Sequence, residues 1–115
     1  MKVDISNGEL IDKITILEIK MERIDDNSRI MNVLKELSVL SKFEFDTPHK
    51  EELKLVNSKI WDCEDTIRRL TKENAYDESF IECAKQIHIL NDERAMIKKR
   101  INLETLSDIV EEKSY

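Results

Sequence analysis

Apolar residues recur along this chain at alternating spacings of three and four, in four stretches separated by polar breaks. That period is the signature of amphipathic helices, not of strands. The first stretch opens with Ser6 and Glu9 in the S-x-x-E spacing of a capping box, and Ile5 and Leu10 stand where a hydrophobic staple needs them. Leu10, Ile14, Leu17, Met21 and Ile24 then form a heptad-like seam, while Ile11, Ile16 and Ile19 lie off it. The pattern predicts a helix over about 7–25 that is apolar on two sides.

Asp25-Asp26-Asn27-Ser28 breaks the pattern with side chains that compete for local backbone groups, so a turn or kink is expected. Ile30, Val33, Leu34, Leu37 and Leu40 mark a second helix over about 28–43, closed by Phe43 and Phe45. Asp46-Thr47-Pro48 predicts a third helix over about 48–72, with Thr47 as N-cap and Pro48 in the first helical position. Its seam runs Leu53, Val56, Ile60, Cys63, Ile67, Leu70, with Trp61 beside it. After a polar loop, Asp77 is the expected cap of a fourth helix over about 78–102, with Tyr76 and Ile81 as its staple. Its seam is Phe80, Cys83, Ile87, Leu90, Arg94, Ile97, Ile101. A tail over 103–115 follows, with Ile109 and Val110 as expected anchors.

The resulting expectation is an all-α protein, a three- to four-helix antiparallel bundle of long amphipathic helices in one domain of 115 residues. One Gly and one Pro, 38% charged residues and 5% aromatic residues fit long solvated helices. A first helix with two apolar faces predicts a homodimer, because so short a chain has little left to cover both. The net charge of −6 argues against nucleic acid as a partner. The one basic cluster, Lys98-Lys99-Arg100, has acids on both sides. No run approaches the ~20 apolar residues of a membrane span. Met1-Lys2-Val3-Asp4 lacks the apolar core of a signal peptide, and two cysteines are few for a small secreted domain, so the cytoplasm is the expected location.

Candidate chemistry centres on Arg94, a permanent cation on an otherwise apolar seam. Three readings stay open. Its head can reach the rim along its own stem, pair with a buried carboxylate and fix helix register, or bind an anion in a cleft. His88, Asn91 and Lys98 lie near it on the same helix and, with Lys13 from the first helix, make the candidate anion site. Glu18/Glu22 and Glu78/Glu82 have a spacing that can serve a metal, but this spacing is common in so charged a chain. Cys63 and Cys83 read as small apolar core residues, and His49 and His88 show no zinc-ligand spacing. No metal or cofactor is expected. Gly8 stands alone, so no glycine-rich loop exists to cradle a phosphate.

The string from Ser6 to Lys20, Asn91-Asp92 with Arg94-Ala95 and Lys98, and Ile109 to Tyr115 together resemble a family of short, all-helical bacterial proteins of unknown function. The resemblance runs from the first helix to the last residue and is weakest over 27–52. It implies a loose association with glycosyltransferase-type surface-polysaccharide proteins. A more distant pattern likeness is to helical chorismate mutases, which would cast Lys13, Arg94 and Lys98 as carboxylate-holding cations. A likeness to all-α nucleotide pyrophosphatases lacks that family's paired E-x-x-E and E-x-x-D motifs. Two function classes therefore stand: a non-enzymatic interaction or scaffold domain with a protein partner, accessory to surface-glycan synthesis, or a small helical enzyme or anion-binding domain built around Arg94.

Overall fold

A computed structural model describes residues 2–106. Within them four helices follow one another: α1 (Asn7–Arg23), α2 (Asn27–Ser41), α3 (Lys50–Lys72) and α4 (Glu78–Glu104). There is no strand among the described residues. None of the helices is long and apolar enough to cross a membrane. Ile109 and Val110 lie outside the described residues.

The helix ends follow local side-chain chemistry. Ser6 caps α1 by accepting from the Glu9 N–H at 3.1 Å. Glu9 is turned instead toward Lys98, at 2.6 Å, so half of the expected capping box forms. Asp26 caps α2, accepting from the Ser28 and Arg29 N–H groups. Helix α3 starts at Lys50, two residues after Pro48. Thr47 explains the delay, because its hydroxyl accepts the His49 N–H at 3.3 Å in a local turn. Asn74 adopts a left-handed φ of 53°, and the Ala75 N–H reaches the Leu70 carbonyl at 2.8 Å, ending α3 in a Schellman-type cap. Asp77 caps α4 by accepting from the Phe80 N–H. Tyr76 meets the Phe80 ring edge-to-face at 5.1 Å, and Ile81, the expected staple partner, is exposed.

Helix α1 is the centre of the fold. It contacts α2, α3 and α4, α3 also contacts α4, and α2 contacts α1 alone. At roughly 100° per residue, Gly8, Ile11, Asp12, Thr15 and Ile19 share one face of α1. Leu10, Ile14, Leu17, Met21 and Ile24 share another, well round the cylinder. The first face meets the α3–α4 hairpin, where Ile11 joins Leu53, Val56, Ile60, Leu90, Ile97 and Ile101 in a buried cluster. The heptad seam is on the side left for α2, and Leu10, Ile14 and Leu17 are buried there. Both apolar faces of α1 are thus covered within one chain, so the two-faced helix does not by itself require a second subunit.

Helix α2 shows the opposite economy. Val33 is its one buried residue, flanked on the α1 side by half-buried Ile30, Leu37 and Leu40. Met31, Leu34, Val39 and Phe43 are 54%, 43%, 55% and 66% exposed. The radius of gyration is 15.8 Å, against about 13 Å for a compact domain of this length. A helix that touches one neighbour extends the molecule in this way.

Candidate functional site

A ladder of polar contacts joins the start of α1 to the end of α4. The Asn7 Nδ2 donates to Thr105 Oγ1 at 2.8 Å. The Gly8 N–H donates to Asn102 Oδ1 at 2.7 Å. Glu9 pairs with Lys98 at 2.6 Å. Asp12 receives Arg94 on both oxygens, Nε to Oδ1 at 2.8 Å and Nη2 to Oδ2 at 2.5 Å. The order runs forward on α1 and backward on α4, as antiparallel helices require.

Gly8 permits the close approach. A Cβ there would lie 2.4 Å from the Lys98 carbonyl oxygen, inside any tolerable contact. The requirement is for space, because no glycine here has a positive φ.

Asp12 is the hub and is fully buried. Besides Arg94 it accepts from Asn57 Nδ2 of α3 at 2.9 Å, and Lys98 Nζ stands 4.0 Å away. Asn57 also donates to Thr15 Oγ1 at 3.0 Å, and Thr15 donates to the Asp12 carbonyl. One carboxylate therefore ties three helices together. A buried charge is tolerable when it is paired and its lone pairs are occupied, and this one meets both conditions. Among the described residues the Asn102 Nδ2 is the buried side-chain polar atom with no hydrogen-bond partner.

The structure thus brings Arg94 and Lys98 together around carboxylates. The Arg94 side chain keeps 28% exposure while Lys98 is buried. Lys13 sits at the rim, 3.7 Å from Glu9 and 44% exposed, and joins the cluster only through that glutamate. His88 is exposed and Asn91 half-buried, and neither has a hydrogen bond or ion pair within the cluster. Asp12, Asn57, Thr15 and Asn102 were not among the candidates read from sequence. Two signals for them existed. Asn57 stands four after Leu53 and three before Ile60, on the apolar seam. Arg94, Lys98 and Asn102 are spaced by four, so they form one polar row on α4.

The Glu18/Glu22 pair of α1 has lysine partners on α3. Lys50 Nζ binds Glu18 at 3.0 Å and Glu44 at 2.6 Å, and Lys54 binds Glu22 at 2.6 Å. Burial by itself would lower the Lys50 ammonium pKa. The hydrogen bonds and attraction of Glu44 and Glu18 outweigh it and raise the group above 10.5. Among the described residues no three His, Cys, Asp or Glu side chains are grouped to hold a metal. His49 joins Glu104 at 2.7 Å, closing the base of α3 onto the end of α4. Cys63 and Cys83 are half-buried rather than sealed in the core. Burial, then the neighbouring Cys83, pushes the Cys63 thiol pKa up, which makes it a poor nucleophile.

Beside Arg94, on the α1–α3 side of the ladder, a recess of about 350 Å³ opens to solvent. Ile16, Ile60 and Trp61 contribute to its walls, and Lys20 and Arg68 to its polar lining. Arg23 lies 5.9 Å from the Trp61 ring and pairs with Asp62.

No curated protein and no solved structure matches the chain significantly. A family model matches it over residues 1–115, and the chain belongs to DUF6165, a family of unknown function.

Proposed function

We propose that this chain is a non-enzymatic interaction domain that pairs with a second copy of itself through the outer face of α2. The observation that carries the reading is the half-used apolar arc of that helix. Asn27, Met31, Leu34, Ser38 and Ser41 recur at spacings of four, three, four and three, a heptad row without a charge. In a chain that is 38% charged, such a row is unusual. Met31, Leu34, Ser38 and Ser41 are exposed, and among the described helices α2 contacts α1 alone.

A second copy suits this row better than a charged partner. Each copy carries a net charge of −6, and the row gives two acidic bodies a place to meet without opposing charges. Large residues, Met31 and Leu34, occupy one half of the row, and small ones, Ser38 and Ser41, the other. A two-fold antiparallel pairing sets large against small. The Ser38 hydroxyl already donates to the Leu34 carbonyl at 2.8 Å, so covering it strands no donor.

The polar ladder takes the structural part in this reading. It fixes α1 against α3 and α4, so that α2 is presented from a rigid body. Two cysteines, few for a small secreted domain, support a cytoplasmic setting. An accessory role in surface-glycan synthesis rests on resemblance alone and on no side chain of the molecule.

Light scattering tests the proposal. The expected mass at micromolar concentration is twice 13.6 kDa, and Leu34→Glu returns it to 13.6 kDa. A wild-type chain that stays at 13.6 kDa up to about 100 μM, a range that spans ordinary specific association, overturns it.

A further inference from the structure

The recess beside Arg94 has the composition of a ligand site. Its volume of about 350 Å³ lies within the range of roughly 300–1,000 Å³ for small-molecule pockets. Buried Ile19, Ile60 and Asn57 line it, together with Arg94 from α4. Trp61 and Ile16 add apolar surface nearer solvent. Among the described residues three cations line the space, Lys20, Arg68 and Arg94, against one acid, Glu64.

The state of each charge matters. Asp12 holds Arg94 on two atoms, so the guanidinium is fixed in place before any ligand arrives. Arg68 spans to Glu64 at 3.8 Å and Asp65 at 3.5 Å on the surface, 70% exposed, where such pairs are weak and easily exchanged. Lys20 is half-buried and has no ion-pair partner among the described residues. The other half-buried lysines, Lys13, Lys50 and Lys54, each have a carboxylate. A partly desolvated ammonium without a counter-charge, facing an apolar recess, is the feature that asks for an anion.

We propose that this recess binds the anionic head of a small amphipathic molecule, a carboxylate or a phosphate monoester on an aromatic or branched apolar body. The head lies between Lys20 and Arg68, and Arg94 adds positive charge to the lining. The body lies against Trp61, Ile16 and Ile60. Asn57, already donating to Asp12 and Thr15, keeps the polar end of the recess rigid. The site is separate from the α2 face, so it stands or falls independently of self-association.

Trp61 is the only tryptophan of the chain and reports on the recess directly. The test is a fluorescence titration of the full chain with phenyl phosphate, benzoate and the neutral benzyl alcohol. A saturable change with phenyl phosphate identifies a phosphate site, and with benzoate a carboxylate site. Either supports the proposal if benzyl alcohol gives none. Lys20→Gln and Arg68→Gln leave the Asp12–Arg94 pair intact, and each is expected to weaken the anion about tenfold, the scale of one lost charge-assisted contact. Arg94→Ala is avoided because it strands Asp12. The proposal is overturned if neither anion saturates by about 10 mM, beyond which affinity is too weak to be specific. It is equally overturned if benzyl alcohol matches the anions, or if both glutamine variants bind as the wild type does.

Discussion

Asp12 and Arg94 lie 82 positions apart, yet each Asp12 oxygen accepts one guanidinium N–H, and the carboxylate has no exposed surface at all. This pair is the fixed point of the fold. Removing Arg94 strands a carboxylate with no exposed surface, and removing Asp12 takes from Arg94, which is 28% exposed, the counter-charge that fixes it to α1. Arg94→Ala is expected to lower unfolding free energy by about 3–5 kcal/mol, and Asp12→Ala by less because the remaining guanidinium reaches solvent, both measured by urea denaturation. Replacing both, as Asp12→Leu with Arg94→Met, recovers most of that loss, since a buried ion pair is rarely worth more than well-packed apolar residues. Additive losses in the double variant contradict the pairing.

Gly8 gives a second prediction of opposite sign to the usual rule. A glycine within a helix normally gains roughly 1 kcal/mol when replaced by alanine. Here the added Cβ meets the Lys98 carbonyl at 2.4 Å, backbone that cannot swing aside. Gly8→Ala is expected to cost about 1–3 kcal/mol by forcing α1 and α4 apart. A rise in melting temperature shows that the close approach is absent.

The two sides of α2 separate cleanly. Val33 is buried against α1, and Val33→Ala is expected to cost about 1–2 kcal/mol by loss of two buried methyl groups. Leu34 lies on the outer row at 43% exposure. Leu34→Glu is expected to leave the helical circular dichroism intact. It removes the rise of melting temperature with protein concentration that self-association produces. A concentration-independent wild-type melting temperature contradicts the dimer.

Lys50 supplies a pH dependence. Its pKa is raised in the folded state, so its contribution is complete below the unfolded value near 10.5 and is lost as pH rises through the higher folded value. The difference in melting temperature between wild type and Lys50→Gln is therefore expected to hold steady from pH 7 to 10 and to shrink above 10.5. A difference that grows in that window reverses the sign and rules out the Glu18–Lys50–Glu44 arrangement as its source.

The four helices were legible in the apolar period and in the caps at Ser6 and Asp77. What the period could not assign was which neighbour each face meets. The two faces of α1 predicted a second subunit, yet α2 takes one of them, because a short turn capped by Asp26 folds it back. Arg94 was legible as an anomaly since a charge on an apolar seam has few causes. Its partner was not, because Asp12 near a helix start is equally explained by the helix dipole. Gly8 was read as the absence of a phosphate loop, and the need for it appears only when α4 is laid against α1. Tyr76 chose Phe80 over Ile81 because an aromatic edge meets another ring more favourably than a branched chain.

The outer row of α2 is tested most directly by distance. A nitroxide placed at Ser38→Cys, in a chain with Cys63→Ser and Cys83→Ser, reports only on the separation between two copies. Paired α2 helices, with axes about 8–10 Å apart, predict a strong dipolar coupling. A label at Asn32→Cys, on the charged side of α2, predicts a weaker one. No coupling at position 38, or a coupling stronger at 32 than at 38, contradicts pairing through this face.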